Sequence, residues 1–577
     1  MFQQITDPIA GSLILSAIFA ALPLILLFVL LGVFRVKAYR AALISLVVSI
    51  ALAIVGWQMP VGQTLSATAE GAFYGLFPIL WILVNALWIY KLTVATPWFE
   101  VLGRTIRSVT NDLRILSILI AFCFGALLES LAGFGAPVAI SAAMLIAAGM
   151  KPLKSAVVSL LANTAPVAFG AMAAPVIALN GVTGLPIGDL SAMAGRQTPF
   201  IALLVPLLLV FIVDGRRGLK QTWPVALVAG LVFAGAQFVT SNFFAVELTD
   251  VVAAVSTVIA VLVMLRVWQP SQTIGMSGDA HVEAPVAGRA NHPAYSSRSG
   301  ASITSAVSSL ATSGPRDGHA DIATTSTPRP APRQVLTAVA PYLIIMAIFS
   351  VAQLPAIKAW LTTAGSVTFQ WPGLDVTDAS GKPVAAQLFK LDHLKATGTL
   401  LALSGLATMA LYGVGPRKAL RIYRETLVQL RWTIVTVTAV LALSFVMNIS
   451  GQTSTLGFAL ASAGGFFAIL SPLIGWIGVA LTGSDTSSNS LFGQLQVAAA
   501  QQTGLSPVLM AAANSSAGVL GKMVSLQNLA VASAAVGLEG SEPVLLRKLI
   551  GWSLGLLVLV TVLIFLQSTP VLGWMVP

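Results

Sequence analysis

Residues 122–140 read FCFGALLESLAGFGAPVAI, and residues 481–496 read LTGSDTSSNSLFGQLQ. Each is an apolar stretch interrupted by small residues around one carboxylate, Glu129 or Asp485. Each is followed by a block in which Ala-Asn, a six-residue spacer, Gly, one residue and Met recur: ANTAPVAFGAM at 162–172 and ANSSAGVLGKM at 513–523. Paired interrupted segments in corresponding positions of two halves are typical of secondary transporters.

The composition indicates a membrane protein. Hydrophobic residues make up 57% of the chain and charged residues 9%, and the mean hydropathy is +0.90. Too few charges remain to cover the apolar surface in water, so we expect a multi-pass protein whose partner is the lipid bilayer. The net charge of +11 does not indicate a nucleic-acid partner, because the basic residues lie mainly between apolar runs, where insertion with positive loops inside places them.

The cysteine and histidine residues provide no candidate metal, cofactor or enzyme site. Cys123 is the single cysteine, so an intrachain disulfide is excluded. Three histidines fall in a polar segment at 270–334 and His393 falls in a loop, which leaves no plausible ligand cluster. No His, Cys or Ser-base arrangement indicates catalysis, so we expect a protein that is not an enzyme and has no cofactor.

Apolar runs long enough to cross roughly 30 Å of hydrocarbon recur along the chain, and they predict an all-α polytopic membrane protein with about 12 transmembrane helices. The predicted spans lie near 11–34, 41–58, 71–90, 155–178, 199–213, 224–240, 250–267, 335–354, 396–413, 432–449, 507–530 and 549–568.

The charges of the loops predict the orientation. Basic residues cluster in alternate loops, at 35–40, 91–114, 216–220 and 417–431. The intervening loops 59–69 and 241–249 contain no Lys or Arg. Because basic loops stay in the cytoplasm, both termini are predicted to be periplasmic, and the loop at 355–395 is predicted to lie outside despite its lysines.

Two further apolar stretches remain, at 115–150 and 466–503. Each is either two more spans or one re-entrant hairpin. The hairpin interpretation explains more, because Lys151 and Lys154 return the first stretch to the cytoplasmic side where it began, whereas the second begins and ends on the uncharged outer side. The sequence therefore predicts two re-entrant hairpins in inverted repeats, one entering from each side.

The predicted organisation is two membrane halves joined by a linker. Residues 1–269 form the first half, with the hairpin at about 115–150 and a broken helix at about 155–178. Residues 335–577 form the second half, with the hairpin at about 466–503 and a broken helix at about 507–530. The segment 270–334 is rich in Ser, Ala, Pro, Thr and Gly and is predicted to be a disordered cytoplasmic linker.

Glu129 and Asp485 are the acidic residues that this topology places inside apolar stretches; the others fall in loops, tails or span ends. An ionised side chain at bilayer depth costs about 2.5–3.5 kcal/mol, so it normally lines a cavity, finds a partner or binds a proton. Glu129, among apolar neighbours, is the first candidate for a coupling proton and Asp485 the second. A purely structural role remains the alternative, with Glu129 pinning its hairpin and Asp485 capping a helix.

Candidate substrate-binding residues are small or polar, so that hydroxyls, amides and closely approaching backbone could hold a small polar solute. They are Gly133, Gly135, Asn163, Thr164, Ser484, Thr486, Ser487, Ser488, Asn489, Asn514, Ser515, Ser516 and Lys522.

Lys522 is the one Lys or Arg that falls well inside a predicted span. It neutralises a substrate carboxylate, pairs with Glu129 or Asp485, or snorkels to the inner surface. The two broken helices are predicted to unwind at 163–166 and at 514–518, since Pro166 removes a backbone hydrogen bond and Gly518 loosens its helix.

At these motifs the chain resembles the lactate permease family of bacterial carriers. The matching segments are 122–140, KPLKSAVVSLLANTAPVAFGAM at 151–172, GRQ at 195–197, 481–496 and AANSSAGVLGKM at 512–523. The resemblance implies proton-coupled uptake of lactate, a 2-hydroxymonocarboxylate, and often glycolate, across the inner membrane. It also implies an elevator-like ion-transporter architecture. The family motif positions are occupied by Glu129, Asn163, Asp485, the Ser-Ser-Asn at 487–489, Asn514 and Lys522.

Two alternatives remain open on the residues alone. A sodium-coupled carboxylate carrier is one, because hydroxyls and unwound carbonyls suit Na⁺. A passive organic-anion channel is the other. The sequence does not indicate an oligomeric state.

Overall fold

A computed structural model describes residues 1–133, 135–272 and 330–577, and helices dominate these residues. Most of the predicted linker at 270–334 lies outside the described residues. Within the described part, 10 helices are long and apolar enough to cross a membrane, or up to 11 with one bent pair. A polytopic helical membrane protein is thereby confirmed, with fewer span-length helices than the about 12 predicted.

In the first half the helices are α1 Leu13–Gly32, α2 Ala38–Val55, α3 Val61–Tyr74, α4 Trp81–Val94, α5 Trp98–Arg107, α6 Leu113–Leu116, α7 Gly125–Ala132, α8 Ala136–Ala147, α9 Pro152–Ala162, α10 Gly170–Thr183, α11 Ile187–Ala194, α12 Thr198–Phe243 and α13 Thr249–Val267. Short π-helical segments, Gly75–Leu80 and Ser117–Phe124, connect α3 to α4 and α6 to α7.

In the second half they are α14 Pro332–Ala352, α15 Pro355–Ala364, α16 Thr397–Leu411, α17 Pro416–Ser450, α18 Gln452–Ala461, α19 Phe467–Thr482, α20 Asp485–Thr503, α21 Pro507–Lys522, α22 Leu526–Ala535 and α23 Glu542–Gln567.

Part of the difference in span count comes from α12. This element contains both predicted spans, 199–213 and 224–240, and the chain bends between them at Asp214 and Gly215 without an intervening loop. Gly215 has a φ of 61°, a left-handed conformation that glycine adopts at little steric cost.

Helix α1 presents apolar residues both to the protein interior and to the outside. In α1, Ala20, Leu24 and Leu27 pack into the protein, whereas Ile14 and Ile18 are exposed. Exposed isoleucines on a helix without charged residues suit lipid and not water, and the helix satisfies its own backbone hydrogen bonds, as the bilayer requires.

Each leftover apolar stretch forms two helices joined by a tight turn, here called hairpin 1 and hairpin 2. The first helical run of each, Leu113–Ala132 and Gly464–Thr482, is long enough to cross a membrane, so re-entrance stays a prediction. In hairpin 1, the helical run from α6 to α7 and helix α8 are joined by a tight turn that includes Gly135, with a φ of 82°. In hairpin 2, α19 and α20 are joined by a turn at Gly483, with a φ of 75°, and the Ser484 side chain accepts from the Ser487 N–H to cap α20. The positive φ values explain the glycines at the two tips.

The first broken helix bends where the sequence predicts. Helix α9 ends at Ala162, the direction changes by 63°, and the chain resumes as a short 3-10 turn, Val167–Phe169, followed by α10. Asn163 and Pro166 lie in the interruption, so the prediction of an unwound segment at 163–166 is confirmed.

The second break lies elsewhere than predicted. Helix α21 continues through 514–518, and the interruption follows at 523–525, where Ser525 caps α22. The prediction that 514–518 unwinds is therefore wrong. Gly518 serves close packing instead, because a Cβ atom there would lie 2.7 Å from Asp485 Oδ1 and 2.8 Å from a Val479 methyl group.

The loop at 355–395 is ordered and contacts the amino terminus. Strand β1 (Phe2–Gln3) pairs in parallel with β3 (Val376–Thr377), and β2 (Val367–Gln370) pairs in antiparallel with β4 (Leu388–Leu391). The amino terminus and this loop thus lie on one side of the protein, as the loop charges predict for both.

Arg114 differs from the other basic residues of its predicted loop. It is fully buried, with Nη2 2.6 Å from Asp112 Oδ2 and Nη1 3.1 Å from Asp214 Oδ2. Its guanidinium therefore joins the start of hairpin 1 to the bend in α12.

Candidate functional site

A cavity of about 30 Å³ lies where the two hairpin tips meet the first broken helix and the end of α21. It has room for about one water molecule. Its lining residues are Glu129, Gly133, Val167, Gly170, Ala171, Pro175, Gly483, Ser484, Asp485, Thr486 and Lys522. Two segments that are more than 300 residues apart in sequence therefore form one site, as their similar layout suggested.

Glu129 is the centre of an ion pair. Its Oε1 lies 2.5 Å from Lys522 Nζ, and its Oε2 accepts from Asn163 Nδ2 at 2.8 Å. Lys522 Nζ also donates to the Gly133 carbonyl at 3.1 Å. Glu129 is 2% exposed and Lys522 is 6% exposed, so each charge depends on the other for compensation.

The backbone of hairpin 1 and of α10 packs directly against this carboxylate. A Cβ atom at Gly133 or at Gly170 would lie 3.0 Å from Glu129 Oε1. Both positions therefore favour glycine because only a hydrogen fits beside the carboxylate. The sequence left open whether Lys522 pairs with an acidic residue or snorkels to the inner surface. Its amino group lies in the site and pairs with Glu129.

Asp485 is held by neutral donors instead. Its Oδ2 accepts from Ser515 Oγ at 2.6 Å and from Asn489 Nδ2 at 3.5 Å. Its Oδ1 has no hydrogen-bond partner among the described residues. The carboxylate stands in the first turn of α20, where the free N–H groups and the helix dipole favour negative charge.

Beside the cavity, the chain is left-handed over three residues that are not glycine. Ala171, Met172 and Ala173 have φ values of 45°, 53° and 61°. Such values are uncommon outside glycine. Ala171 lines the cavity, so this turn forms part of its wall.

The predicted site residues separate into two groups. Glu129, Gly133, Ser484, Asp485, Thr486 and Lys522 line the cavity. The others lie behind it: Gly135, Asn163, Thr164, Ser487, Ser488, Asn489, Asn514, Ser515 and Ser516 do not line it.

Several residues of the second group form an amide network in hairpin 2 and α21. Asn514 Nδ2 donates to Asn489 Oδ1 at 2.9 Å, and Gln496 Nε2 donates to Asn514 Oδ1 at 3.2 Å. Asn489 Nδ2 also donates to the Pro175 carbonyl in α10 at 3.1 Å. These contacts hold hairpin 2 against both broken helices, which is a positioning role for Asn489 and Asn514 in this conformation.

Thr164 and Ser516 are further from ligand contact. Thr164 Oγ1 donates to the Leu161 carbonyl, and Ser516 Oγ is buried without a partner in the described part of the chain. Gly135 packs instead beside Val531 and Asn528 of α22.

Sequence reasoning missed five cavity residues: Val167, Gly170, Ala171, Pro175 and Gly483. The shared Gly-x-Met ending of the two Ala-Asn blocks was the available signal for Gly170. The left-handed turn itself has no composition that would mark it, because its residues are Ala, Met and Ala.

Two buried acidic residues were also missed. Glu70 in α3 and Asp250 in α13 have no exposed surface. The predicted span began at 71, which placed Glu70 at a span end; in fact 61–74 is helical, so Glu70 lies inside α3 and that placement is wrong. Asp250 was also placed at a span end, and it does stand in the first turn of α13.

A larger cavity, of about 320 Å³, lies elsewhere. It is lined by Ser506, Gln567, Ser568 and neighbouring residues between the start of α21 and the carboxyl-terminal segment. None of its lining residues among those described is charged, so it has no group that would select an ion. The smaller cavity is the candidate site because the buried charges are there.

Comparison with known proteins also indicates a transporter. The chain is 39% identical to the L-lactate permease of Bacillus subtilis over 100% of both chains, and 40% identical to the glycolate permease GlcA of Escherichia coli over 98% of both. Among solved structures, Neisseria gonorrhoeae MtrF, described as illuminating a class of antimetabolite efflux pumps, covers 88% of this chain and 84% of its own, with 13% identity and a TM-score of 0.44. That similarity is too low to assign an architecture.

The span-length helices, the buried charges at a cavity and the permease relatives define a membrane transporter, not an enzyme. The family model for L-lactate permease matches residues 16–571. The chain belongs to the L-lactate permease family.

Proposed function

We propose that this protein imports L-lactate, and also D-lactate and glycolate, together with protons across the cytoplasmic membrane. The relatives named L-lactate permease and glycolate permease support the substrate class. They give no support to the sodium-coupled carrier or to the passive channel. The observation that carries the proposal is the buried ion pair between Lys522 and Glu129 at the cavity.

The ion pair supplies a mechanism for exchanging one carboxylate for another. A substrate carboxylate that enters the cavity takes the place of Glu129 on Lys522, assisted by the free N–H groups at the start of α20 and of α10. The hydroxyl groups of Ser484 and Thr486, which also line the cavity, are placed to bond the 2-hydroxyl of the substrate. Glycolate and both lactate isomers share these two functional groups.

Displacing Glu129 from Lys522 couples the substrate to a proton. A buried carboxylate that loses its cation is costly as an ion, so it takes up a proton and becomes neutral. The loaded site then contains substrate, Lys522 and protonated Glu129, with one positive and one negative charge between them. Asp485, with its unpaired Oδ1, is the second candidate for proton uptake.

The cavity is smaller than a three-carbon hydroxy acid, so loading requires the tips or the α10 turn to separate. We propose that hairpin 1 enters from the cytoplasm and hairpin 2 from the periplasm, in inverted repeats, with both termini periplasmic. Residues 1–269 and 335–577 would form the two repeats, with 270–334 as a cytoplasmic linker. An elevator-like movement of the hairpins and broken helices would then expose the site alternately.

The test compares two modes of transport in proteoliposomes with Glu129→Gln. Glutamine keeps the size of the side chain and an acceptor for Lys522 but cannot carry a proton. We expect lactate accumulation driven by a pH gradient to be lost, while lactate counterflow at equal pH continues. Full gradient-driven accumulation by the variant would remove Glu129 as the coupling site, and failure of the wild-type protein to accumulate lactate under the same gradient would remove proton coupling altogether.

A further inference from the structure

Asp250 is a buried carboxyl group that the mechanism above does not use. It lies in the first turn of α13 with no exposed surface. Its Oδ1 accepts from Gln237 Nε2 at 3.3 Å, and its Oδ2 has no partner among the residues that the structure describes. A buried carboxylate with a single hydrogen bond and no adjacent cation is poorly compensated as an ion.

Gln237 joins this carboxyl to the first broken helix. Its Nε2 also donates to the Ala165 carbonyl at 3.3 Å, and its Oε1 accepts from Thr198 Oγ1 at 3.0 Å. Ala165 lies in the unwound segment, two residues after Asn163, which bonds Glu129. Contacts therefore run from Asp250 through Gln237 and the break to Glu129.

The charged surroundings of Asp250 are those of the candidate site. Glu129 lies on α7, which packs against α13. Other titratable groups on the elements packed against α13 are Cys123 in the π-helical segment and Glu247 just before α13. Helix α12 carries its charged residues around 214–220, near its bend, and α10 carries none.

We propose that Asp250 is a second protonatable carboxyl of the coupling machinery, linked to Glu129 through Gln237 and the unwound segment. When both are ionised, Asp250 and Glu129 are two anions in one buried region, so ionisation of Asp250 makes ionisation of Glu129 less favourable. Asp250 is in this sense a positioning residue, since it does not line the cavity. The inference rests on the proposed proton coupling.

The test measures lactate accumulation in proteoliposomes over a series of external pH values for the wild-type protein, Asp250→Asn and Glu70→Gln. Asparagine keeps the acceptor for Gln237 but carries no charge. Glu70 is the matched control, because it is an equally buried carboxyl on α3 whose two oxygens have no partner among the described residues. Counterflow at one pH in the same vesicles reports on folding and substrate binding.

We expect Asp250→Asn to move half-maximal accumulation to lower pH by about 0.5 unit or more, because Glu129 loses a negative neighbour and ionises more readily. Glu70→Gln should leave the midpoint unchanged, and counterflow of Asp250→Asn should stay within about twofold of wild type. An unmoved midpoint in Asp250→Asn, or an equal movement in Glu70→Gln, would overturn the proposal.

A second variant keeps the test decisive if Asp250→Asn gives no counterflow. Gln237→Met breaks the link to Ala165 and leaves the carboxyl in place, so it should also move the midpoint. An unchanged midpoint in Gln237→Met would then count against the proposal. If the wild-type protein itself shows no pH-driven accumulation, proton coupling fails, which is a result distinct from failure of Asp250.

Discussion

The two hairpin tips have similar sequence layouts but hold their carboxylates by different means. Glu129 at the first tip is paired with the ammonium group of Lys522. Asp485 at the second tip is held by Ser515 and Asn489, and one of its oxygens has no partner within the described part of the chain. The cation for the first tip comes from the second half of the chain. The repeated layout therefore places two corresponding acidic residues at one cavity. Because one has a cationic partner and the other has neutral partners, we expect them to have different roles.

From this difference we infer that Glu129 at the first tip can be replaced on Lys522 by another carboxylate, whereas Asp485 at the second tip keeps its neutral partners. An ion pair can be opened by a competing carboxylate, because the competitor replaces one anion by another. A carboxylate held by a hydroxyl and a helix start offers no cation to exchange. Three substitutions test this distinction, beginning with the largest effect.

Lys522→Met should have the greatest consequence. It leaves Glu129 buried without its cation, and breaking one side of a buried pair costs about 3–5 kcal/mol. We expect lactate uptake to fall by at least about 100-fold, together with a lower Tm in detergent. Lys358→Met, on an exposed position of α15, is the control and should change neither.

A double variant refines this result. Lys522→Met combined with Glu129→Gln removes both charges, so the Tm should return toward that of wild type while uptake stays absent. Substantial lactate uptake by the single Lys522 variant would contradict the assignment of exchangeable charge to this pair.

Gly518→Ala tests the packing at the second tip. The added methyl group would lie 2.7 Å from Asp485 Oδ1 and 2.8 Å from a Val479 methyl group. Overpacking of this kind costs about 1–3 kcal/mol, so the free energy of unfolding should decrease by that amount.

Gly551→Ala provides the comparison, since the equivalent methyl group in α23 meets nothing within 4 Å and alanine favours a helix. Equal melting temperatures for the two glycine variants would show that the contact between α21 and Asp485 is looser than described.

Asp485→Asn should have the smallest effect and one of a different kind. The amide keeps an acceptor for Ser515 but removes the charge beside the cavity, so we expect a change in KM of about tenfold with pH-driven accumulation retained. The measurement is KM for lactate together with the accumulation ratio. If Asp485→Asn lost pH-driven accumulation while its KM stayed unchanged, the proton-coupling role would belong to Asp485 and not to Glu129.

The sequence predicted most of what depends on hydropathy and on glycine or proline. It predicted the membrane class, the first break at Pro166 and the convergence of Glu129, Asp485 and Lys522 on one cavity. These features follow from local signals: a charge in an apolar run costs energy, and a helix cannot continue normally through proline.

It failed where tertiary packing decided the outcome. Gly518 was taken as a sign of unwinding, but its small size is needed because Asp485 lies against it. Glu70 was placed at a span end because hydropathy locates a helix start only within a few residues. The link from Gln237 to Ala165 joins residues 72 positions apart, so no periodicity could have indicated it.

The left-handed turn at Ala171, Met172 and Ala173 has a consequence for how the cavity opens. Each such residue is less stable than in a right-handed helix by about 1–2 kcal/mol, and only the surrounding contacts hold it there. A return to right-handed backbone would extend α10 toward the break and draw Gly170 off the Glu129 carboxylate. We therefore expect this turn to rearrange more readily than the rest of the cavity wall.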